Sequence, residues 1–370
     1  MKLLHCADIH LNSSLSAHLD GDKKKQRKTE ILHTFLRMVD YAADQSVDGI
    51  LIAGDLFDTK KVDRLTGNAV QSAITEHPEI LFFYLRGNHD ADGFLQSLEK
   101  IPDNLKLFWE TWRSYAWEED GATIVITGAE SSAHNVQTLY SSLRLEPKHI
   151  NLVMLHGQET PYASGVRQDA EQIPLAALQN KGIDYLALGH VHTYKREKLD
   201  ARGIYVYPGC LEGRGFDECG VHGFCLLDID AAHHKIQDTF VPFASRRLWE
   251  VSVDVSACVS GVGVLNAIKE TLQGIQVQAA DMVKVCLTGS LPVNVEVDTE
   301  LLAMQLSQVY FYVKVVDQTI PEIDYDAYAY DVSLKGEFVR LVHAQTDLSD
   351  EQKTKIIQTG ILALAGEAFV

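Results

Sequence analysis

"LFFYLRGNHD" (residues 81–90) decides how this 370-residue chain is read. An apolar run of strand character leads through Arg86 into Gly87, Asn88, His89 and Asp90. Polar and ionisable groups packed at the end of a buried strand are costly to keep, so they call for companions elsewhere in the chain. "HCADIH" supplies Asp8 and His10, two residues apart and so on one face of a strand end. "LIAGDLFD" supplies Asp55 and Asp58, "VMLHG" supplies His156, and "LALGHVH" supplies His190 and His192. Each follows a short apolar run.

Five strand-like segments thus end in His, Asp or Asn. In α/β sheets ligands gather outside the carboxyl ends of the strands, where these tips converge. Carboxylate, imidazole and amide donors without thiolate suit Mn²⁺, Fe²⁺ or Zn²⁺ with open positions. Seven candidate donors (Asp8, His10, Asp55, Asn88, His156, His190 and His192) are too many for one ion that also takes substrate. They suit two ions sharing a carboxylate, an arrangement that grips a phosphate and activates water for in-line attack. The leaving oxygen then needs a proton, and His89 stands ready to give it. Taken singly, Asp8/His10 and His190/His192 read as exposed turn pairs and His156 as a core histidine. Their recurrence at five strand ends does not.

The rest of the pattern to residue 243 alternates strand-like runs ("KLLHCA", "GILIAG", "ATIVITG", "NLVMLH", "DYLALG", "GIYVYPG", "GFCLLDID") with helical stretches such as "KTEILHTFLRMVDYAADQ" and "LTGNAVQSAITEH". That alternation implies an α/β sandwich. A second α+β unit follows, which sets domains at 1–245 and 246–330, with a C-terminal segment at 331–370. Residues 317–331 hold five acidic side chains and no basic one, and read as an exposed connector. "LSDEQKTKIIQTGILALAGEAF" reads as a helix with an apolar face.

Net charge is −18, with −10 in residues 1–245 and −8 in the shorter remainder. A broad basic face for wrapping nucleic acid is excluded, but a strand or end entering a cation-neutralised cleft is not. The strongest basic run, "DKKKQRK" (22–28), reads as a loop entering a helix, either touching phosphate or merely solvated. The six cysteines form no CxxC pair and read as reduced core thiols. No apolar run approaches the roughly 20 residues that span a bilayer, and the N-terminal run is too short for a signal peptide. A cytoplasmic protein with no membrane contact is expected.

"DIH", "GDLFD", "GNHD", "HG" and "GHVH" together resemble the calcineurin-like metallophosphoesterase signature, over most of residues 1–240. "YPGCLEGRGFDECGVHGF" and "SLKGEFVRLV" further resemble SbcD-type DNA repair exonucleases, the nuclease partners of SbcC-type ATPases. The resemblance implies a four-layer α-β-β-α sandwich with a smaller α+β capping domain. It implies that Asp8, His10, Asp55 and His192 hold one metal, and that Asp55 bridges to a second held by Asn88, His156 and His190. His89 would be the proton donor, Asp58 its orienting partner, and Asp90 a loop cap or a supporting group. The implied ion is manganese, the reaction DNA phosphodiester hydrolysis, and the partners DNA, an SbcC-type ATPase docked on the last helix, and a second copy of the chain. Arg86 and Arg214 fall near strand ends and are candidates for phosphate contact or for local ion pairs. Two other readings compete: a phosphoesterase for a cyclic nucleotide or phosphomonoester, and a decayed scaffold. The intact donor set opposes the last.

Overall fold

The computed structural model describes the chain apart from residues 16–18, 59–61, 91–92, 161–170, 293–294, 323–324 and 366–370. The chain divides after Leu248 into two compact units, three residues beyond the boundary expected at 245. In order, the first contains β1 (Lys2–Cys6), α1 (Gly21–Asp44), β2 (Gly49–Ala53), α2 (Arg64–Glu76), β3 (Leu81–Leu85), α3 (Gly93–Ser97), β4 (Leu105–Leu107), β5 (Arg113–Glu119), β6 (Ala122–Gly128), α4 (Val136–Ser142), β7 (Ile150–His156), β8 (Gln158–Thr160), β9 (Gln172–Pro174), β10 (Tyr185–Gly189), β11 (Lys195–Lys198), β12 (Ile204–Tyr207), β13 (Gly223–Asp230) and β14 (Lys235–Pro242).

Two six-stranded sheets result, in the orders β14-β13-β1-β2-β3-β4 and β11-β12-β10-β7-β6-β5. Strands β1 to β4 run parallel, as do β6, β7, β10 and β12. Antiparallel strands close the edges at β13–β14, β5 and β11. Period-two alternation sorts the apolar residues into layers. Leu3, Leu51 and Phe83 meet Ile126, Leu152 and Tyr185 between the sheets. Leu4, Ile50, Ile52 and Phe82 turn the other way, onto Ile31, Phe35 and Met38 of α1 and Val70 and Ile74 of α2. On the far side Val153, Leu155 and Leu186 pack with Leu139 and Tyr140 of α4. The order is helix, sheet, sheet, helix: a four-layer α/β sandwich. Each fully buried aliphatic or aromatic side chain stabilises it by about 1.5–3 kcal/mol.

The basic run 22–28 is not a loop. Helix α1 begins at Gly21, where the Asp20 side chain caps it by accepting from the Lys23 N–H at 2.8 Å. Arg27 falls on the buried stripe with Ile31, Thr34, Phe35 and Met38. Its guanidinium lies 2.5 Å from the carboxylate of Glu212, which also accepts from Thr34 Oγ1 (2.7 Å) and the Ser245 N–H (2.6 Å). Arg27→Ala leaves the Glu212 charge buried without its counter-ion and should lower stability by about 3–5 kcal/mol in urea denaturation. A loss below about 1 kcal/mol would mean the pair is idle.

The second unit has β15 (Leu248–Asp254), α5 (Gly261–Gly274), β16 (Met282–Thr288), β17 (Ser290–Leu291), α6 (Thr299–Leu306), β18 (Tyr312–Asp317), β19 (Ile320–Pro321), α7 (Tyr325–Ala329), α8 (Leu334–His343) and α9 (Asp350–Ala365). A three-stranded sheet, β15-β16-β18, packs on Val264, Ile268 and Leu272 of α5. The acidic stretch 317–331 is more ordered than a connector: β19 pairs with β17, and α7 forms beyond residues 323–324, which lie outside the described residues. The expected last helix is α9, opened by reciprocal bonds between Ser349 and Gln352 (2.9 and 3.2 Å). Its expected end, 366–369, falls outside the described residues. All six cysteines are free. No helix among the described residues is long and apolar enough to cross a membrane.

Candidate metal centre

The loops that leave β1, β2, β3, β7 and β10 carry the site, and their backbones are bent to bring side chains inward. Asp8 (φ 52°), His10 (φ 49°), Asp55 (φ 52°) and His190 (φ 102°) all lie in the left-handed region. Such residues cost about 1–3 kcal/mol each and persist where the surroundings over-determine them. Here a backbone ladder does so: Asp8 N–H to Gly54 O (3.1 Å), His10 N–H to Asp55 O (2.9 Å) and Leu11 N–H to Leu56 O (2.9 Å). Two motif glycines leave room for donors. A Cβ at Gly54 would lie 2.1 Å from His156 Nδ1, and one at Gly87 would lie 2.1 Å from Asp55 Oδ1.

All seven candidate donors come together. Asp8, His10 and His192 have ligand atoms within 4.8 Å of one another, as do Asp8, Asp55 and His156. Asp55 Oδ2 faces two histidines at once, 3.3 Å from His156 Nε2 and 3.7 Å from His10 Nε2. Asn88 Oδ1 lies 3.0 Å from His156 Nε2 and 3.3 Å from His190 Nδ1. Asp8, His10, Asp55 and His156 are buried, whereas Asn88 is exposed at the mouth.

The donor chemistry fits cations. His156 Nδ1 is 2.9 Å from the Ala53 carbonyl and His192 Nδ1 is 2.6 Å from Glu218 Oε1, so each Nδ1–H has its acceptor. That leaves each Nε2 lone pair facing inward. His192 Nε2 and His10 Nε2 lie 3.1 Å apart, so both ring nitrogens are turned toward one position. In His156 burial disfavours the charged form, but Asp55 outweighs burial and raises the pKa to about 9. Burial lowers His10 and His190 despite nearby carboxylates. Against its own burial, Asp55 is held below the usual carboxylate range by His156 and His10.

His89 stands at the exposed rim, with Nδ1 2.8 Å from Asp58 Oδ1, and together with His10 the two also have ligand atoms within 4.8 Å of one another. Burial works against the Asp58 charge, but His10 and Arg214 hold the carboxyl down to about 2. Asp90 pins the "GNHD" loop to "GDLFD", accepting from the N–H groups of Phe57 (2.8 Å), Gly87 (3.0 Å) and Leu56 (3.2 Å). Burial and the neighbouring Asp55 raise it to about 6.

Both candidate arginines are tied to carboxylates. Arg86 pairs with Glu130 through Nε (2.9 Å) and Nη2 (2.7 Å), and Arg214 with Glu218 through Nη2 (2.7 Å). Glu218, the partner of His192, is the residue that sequence reasoning missed. It lies within "YPGCLEGRGFDECGVHGF", but no apolar run precedes it to mark it as a strand tip.

The family profile of the calcineurin-like phosphoesterases matches residues 1–194, more than half of the chain. The chain belongs to that family. As a calcineurin-like phosphoesterase it is a metallophosphoesterase, of a family that binds two divalent metals. An uncharacterized metallophosphoesterase of Bacillus subtilis, YhaO, is 27% identical over 316 residues, 79% of this chain and 72% of that protein. The DNA double-strand break repair protein Mre11 of Methanopyrus kandleri is 27% identical over 255 residues, 62% of this chain. This chain spans about half of that Mre11, 54% of its length. Among solved structures, a dimetal phosphatase from Danio rerio aligns with a TM-score of 0.37 at 12% identity, over 61% of this chain and 92% of that one.

Proposed function

We propose that this calcineurin-like phosphoesterase hydrolyses phosphodiester bonds in DNA as a repair exonuclease or endonuclease. The observation that carries the reading is the exposed His89–Asp58 pair beside a converged seven-donor centre. Likeness to proteins named for DNA double-strand break repair supports the choice of polymer. Asp8, His10, Asp55 and His192 would hold one ion, and Asn88, His156 and His190 with the shared Asp55 the other, manganese being the first choice. When bound, the two cations draw the phosphate oxygens together and make water acidic enough to attack. The chain's own residues do the rest. His89 gives a proton to the leaving oxygen from Nε2, while Asp58, accepting from Nδ1, fixes the ring's orientation. Asp90 keeps the two loops in register. With a net charge of −18 the chain itself grips DNA weakly, which fits an SbcC-type ATPase partner and a dimeric assembly that add to the hold.

A cavity of about 250 Å³ favours a second reading. It adjoins Asn88 and His156 and is lined by Arg86, Asp90, Glu110, Glu130, Ser131 and Glu171, a size that suits a small phosphate ester once cations offset the acidic wall. Linear duplex DNA and a set of small phosphate esters, each incubated with the protein and Mn²⁺, separate the two. Degradation of DNA that a chelator abolishes is expected; turnover of the small esters alone selects the second reading. Metal uptake should weaken as pH falls from about 8 to 6, because His156 is charged until well above neutrality and must give up its proton to coordinate. Uptake independent of pH in isothermal titration would contradict the assigned ligand set.

A further inference from the structure

The segment 207–224 carries five side chains that the reaction just described does not use: Cys210, Glu212, Arg214, Glu218 and His222. Glu212 roots the segment on α1 through Arg27 and Thr34, and on the stretch after β14 through the Ser245 N–H. His222 backs it from behind, with Nε2 2.8 Å from the Glu218 carbonyl and Nδ1 3.3 Å from Cys210 Sγ. The rooted loop then presents two charged groups to the metal centre. Glu218 Oε1 is shared by His192 Nδ1 (2.6 Å) and Arg214 Nη2 (2.7 Å), and its Oε2 accepts the Arg214 backbone N–H (2.7 Å). The guanidinium reaches on, with Nη1 3.6 Å from Asp58 Oδ2. The other oxygen of Asp58 holds His89.

We infer that Glu218 and Arg214 are positioning residues, joining the metal-side His192 to the Asp58–His89 proton-donor pair through one chain of ionic contacts. The inference rests on the phosphoesterase reading of the same site. Glu218 selects the tautomer of His192 that turns Nε2 toward the metal position. Arg214 sets Asp58, and through it His89, at a fixed place relative to that nitrogen. The side chain of Arg214 is only 14% exposed: Nε and Nη2 face Glu218, Nη1 faces Asp58, and Nη2 also lies 3.2 Å from His192 Nδ1. A guanidinium so committed on both edges is spent on geometry rather than on gripping phosphate. The sharing of one oxygen by His192 and Arg214 couples the two halves, since neither can move without disturbing the other's acceptor.

Two measurements test this. Calorimetric titration of Glu218→Ala with Mn²⁺ alone should show affinity about 10–100-fold weaker than the parent, with Glu218→Gln closer to the parent because its carbonyl still accepts. For Arg214→Met, two phosphodiesters are compared. One has an alkoxide leaving group that needs a proton; the other releases p-nitrophenolate, which does not. The loss in kcat should be at least about tenfold greater on the alkoxide ester, with KM nearly unchanged, and Arg214→Lys should recover part of it. Equal losses on both esters would reduce Arg214 to a structural clamp, a raised KM would make it a substrate contact, and unchanged Mn²⁺ affinity in Glu218→Ala would remove Glu218 from the centre. Each overturns the inference. Thermal melts of the variants separate misfolding from mispositioning. If the parent hydrolyses neither ester, the phosphoesterase reading is what fails, while the Mn²⁺ titration still judges Glu218.

Discussion

Asp55→Asn should abolish turnover and strip the protein of manganese together. Asp55 is 1% exposed and faces His156 and His10 through one oxygen, while the other accepts the His89 N–H at 2.9 Å. Asn has the same shape but no charge, and it places either a neutral oxygen or an N–H₂ group where two histidines expect an anion. Both donor clusters weaken at once. Manganese affinity should fall by at least about 100-fold, the upper end of what the loss of a mere supporting partner produces. Metal content after dialysis, set against rate, checks it. A variant that keeps two equivalents of manganese would show that the carboxylate is not shared.

His89→Asn should behave in the opposite way: metal content intact, rate lower by about 10²–10⁴, the range typical of a proton-transferring group. The ring meets His10 edge-on, centroids 5.1 Å apart, and among the described residues its Nδ1 is anchored by Asp58. Removing it leaves every candidate ligand in place. If the substitution empties the centre instead, His89 is a ligand and the division of roles proposed above is wrong.

Most of this centre was legible because each donor sits directly behind an apolar strand, and a short buried run that ends in His or Asp is conspicuous. Asp8, Asp55, Asn88, His156 and the pair His190 and His192 all announce themselves in that way. The sandwich was legible for the same reason, since Leu3 and Leu4, or Phe82 and Phe83, are apolar on both faces and so need cover on both sides. Glu218 was not legible as a site residue. It lies in an irregular loop 26 residues from its partner His192, and nothing local distinguishes it from any other acid. The start of α1 was missed because a charged residue, Arg27, fills the first core position of the helical stripe, and its counter-charge Glu212 is 185 residues away. Apolar periodicity cannot register an inward face that is ionic. The acidic stretch 317–331 was misread for a related reason: composition reports the charge of the stretch but not the pairing of β19 within it.

One sheet lends Asp8, Asp55 and Asn88; the other lends His156, His190 and His192. A cation seated among them therefore rivets two layers that otherwise cohere through an apolar interface and a few polar contacts such as His156 Nδ1 to the Ala53 carbonyl. Ligand binding that favours the native form adds roughly 4 kcal/mol when the ligand stands at a thousand times its dissociation constant. Heat resistance and ion supply thus become a single equilibrium: a cell short of the metal would hold not merely an idle enzyme but a looser one.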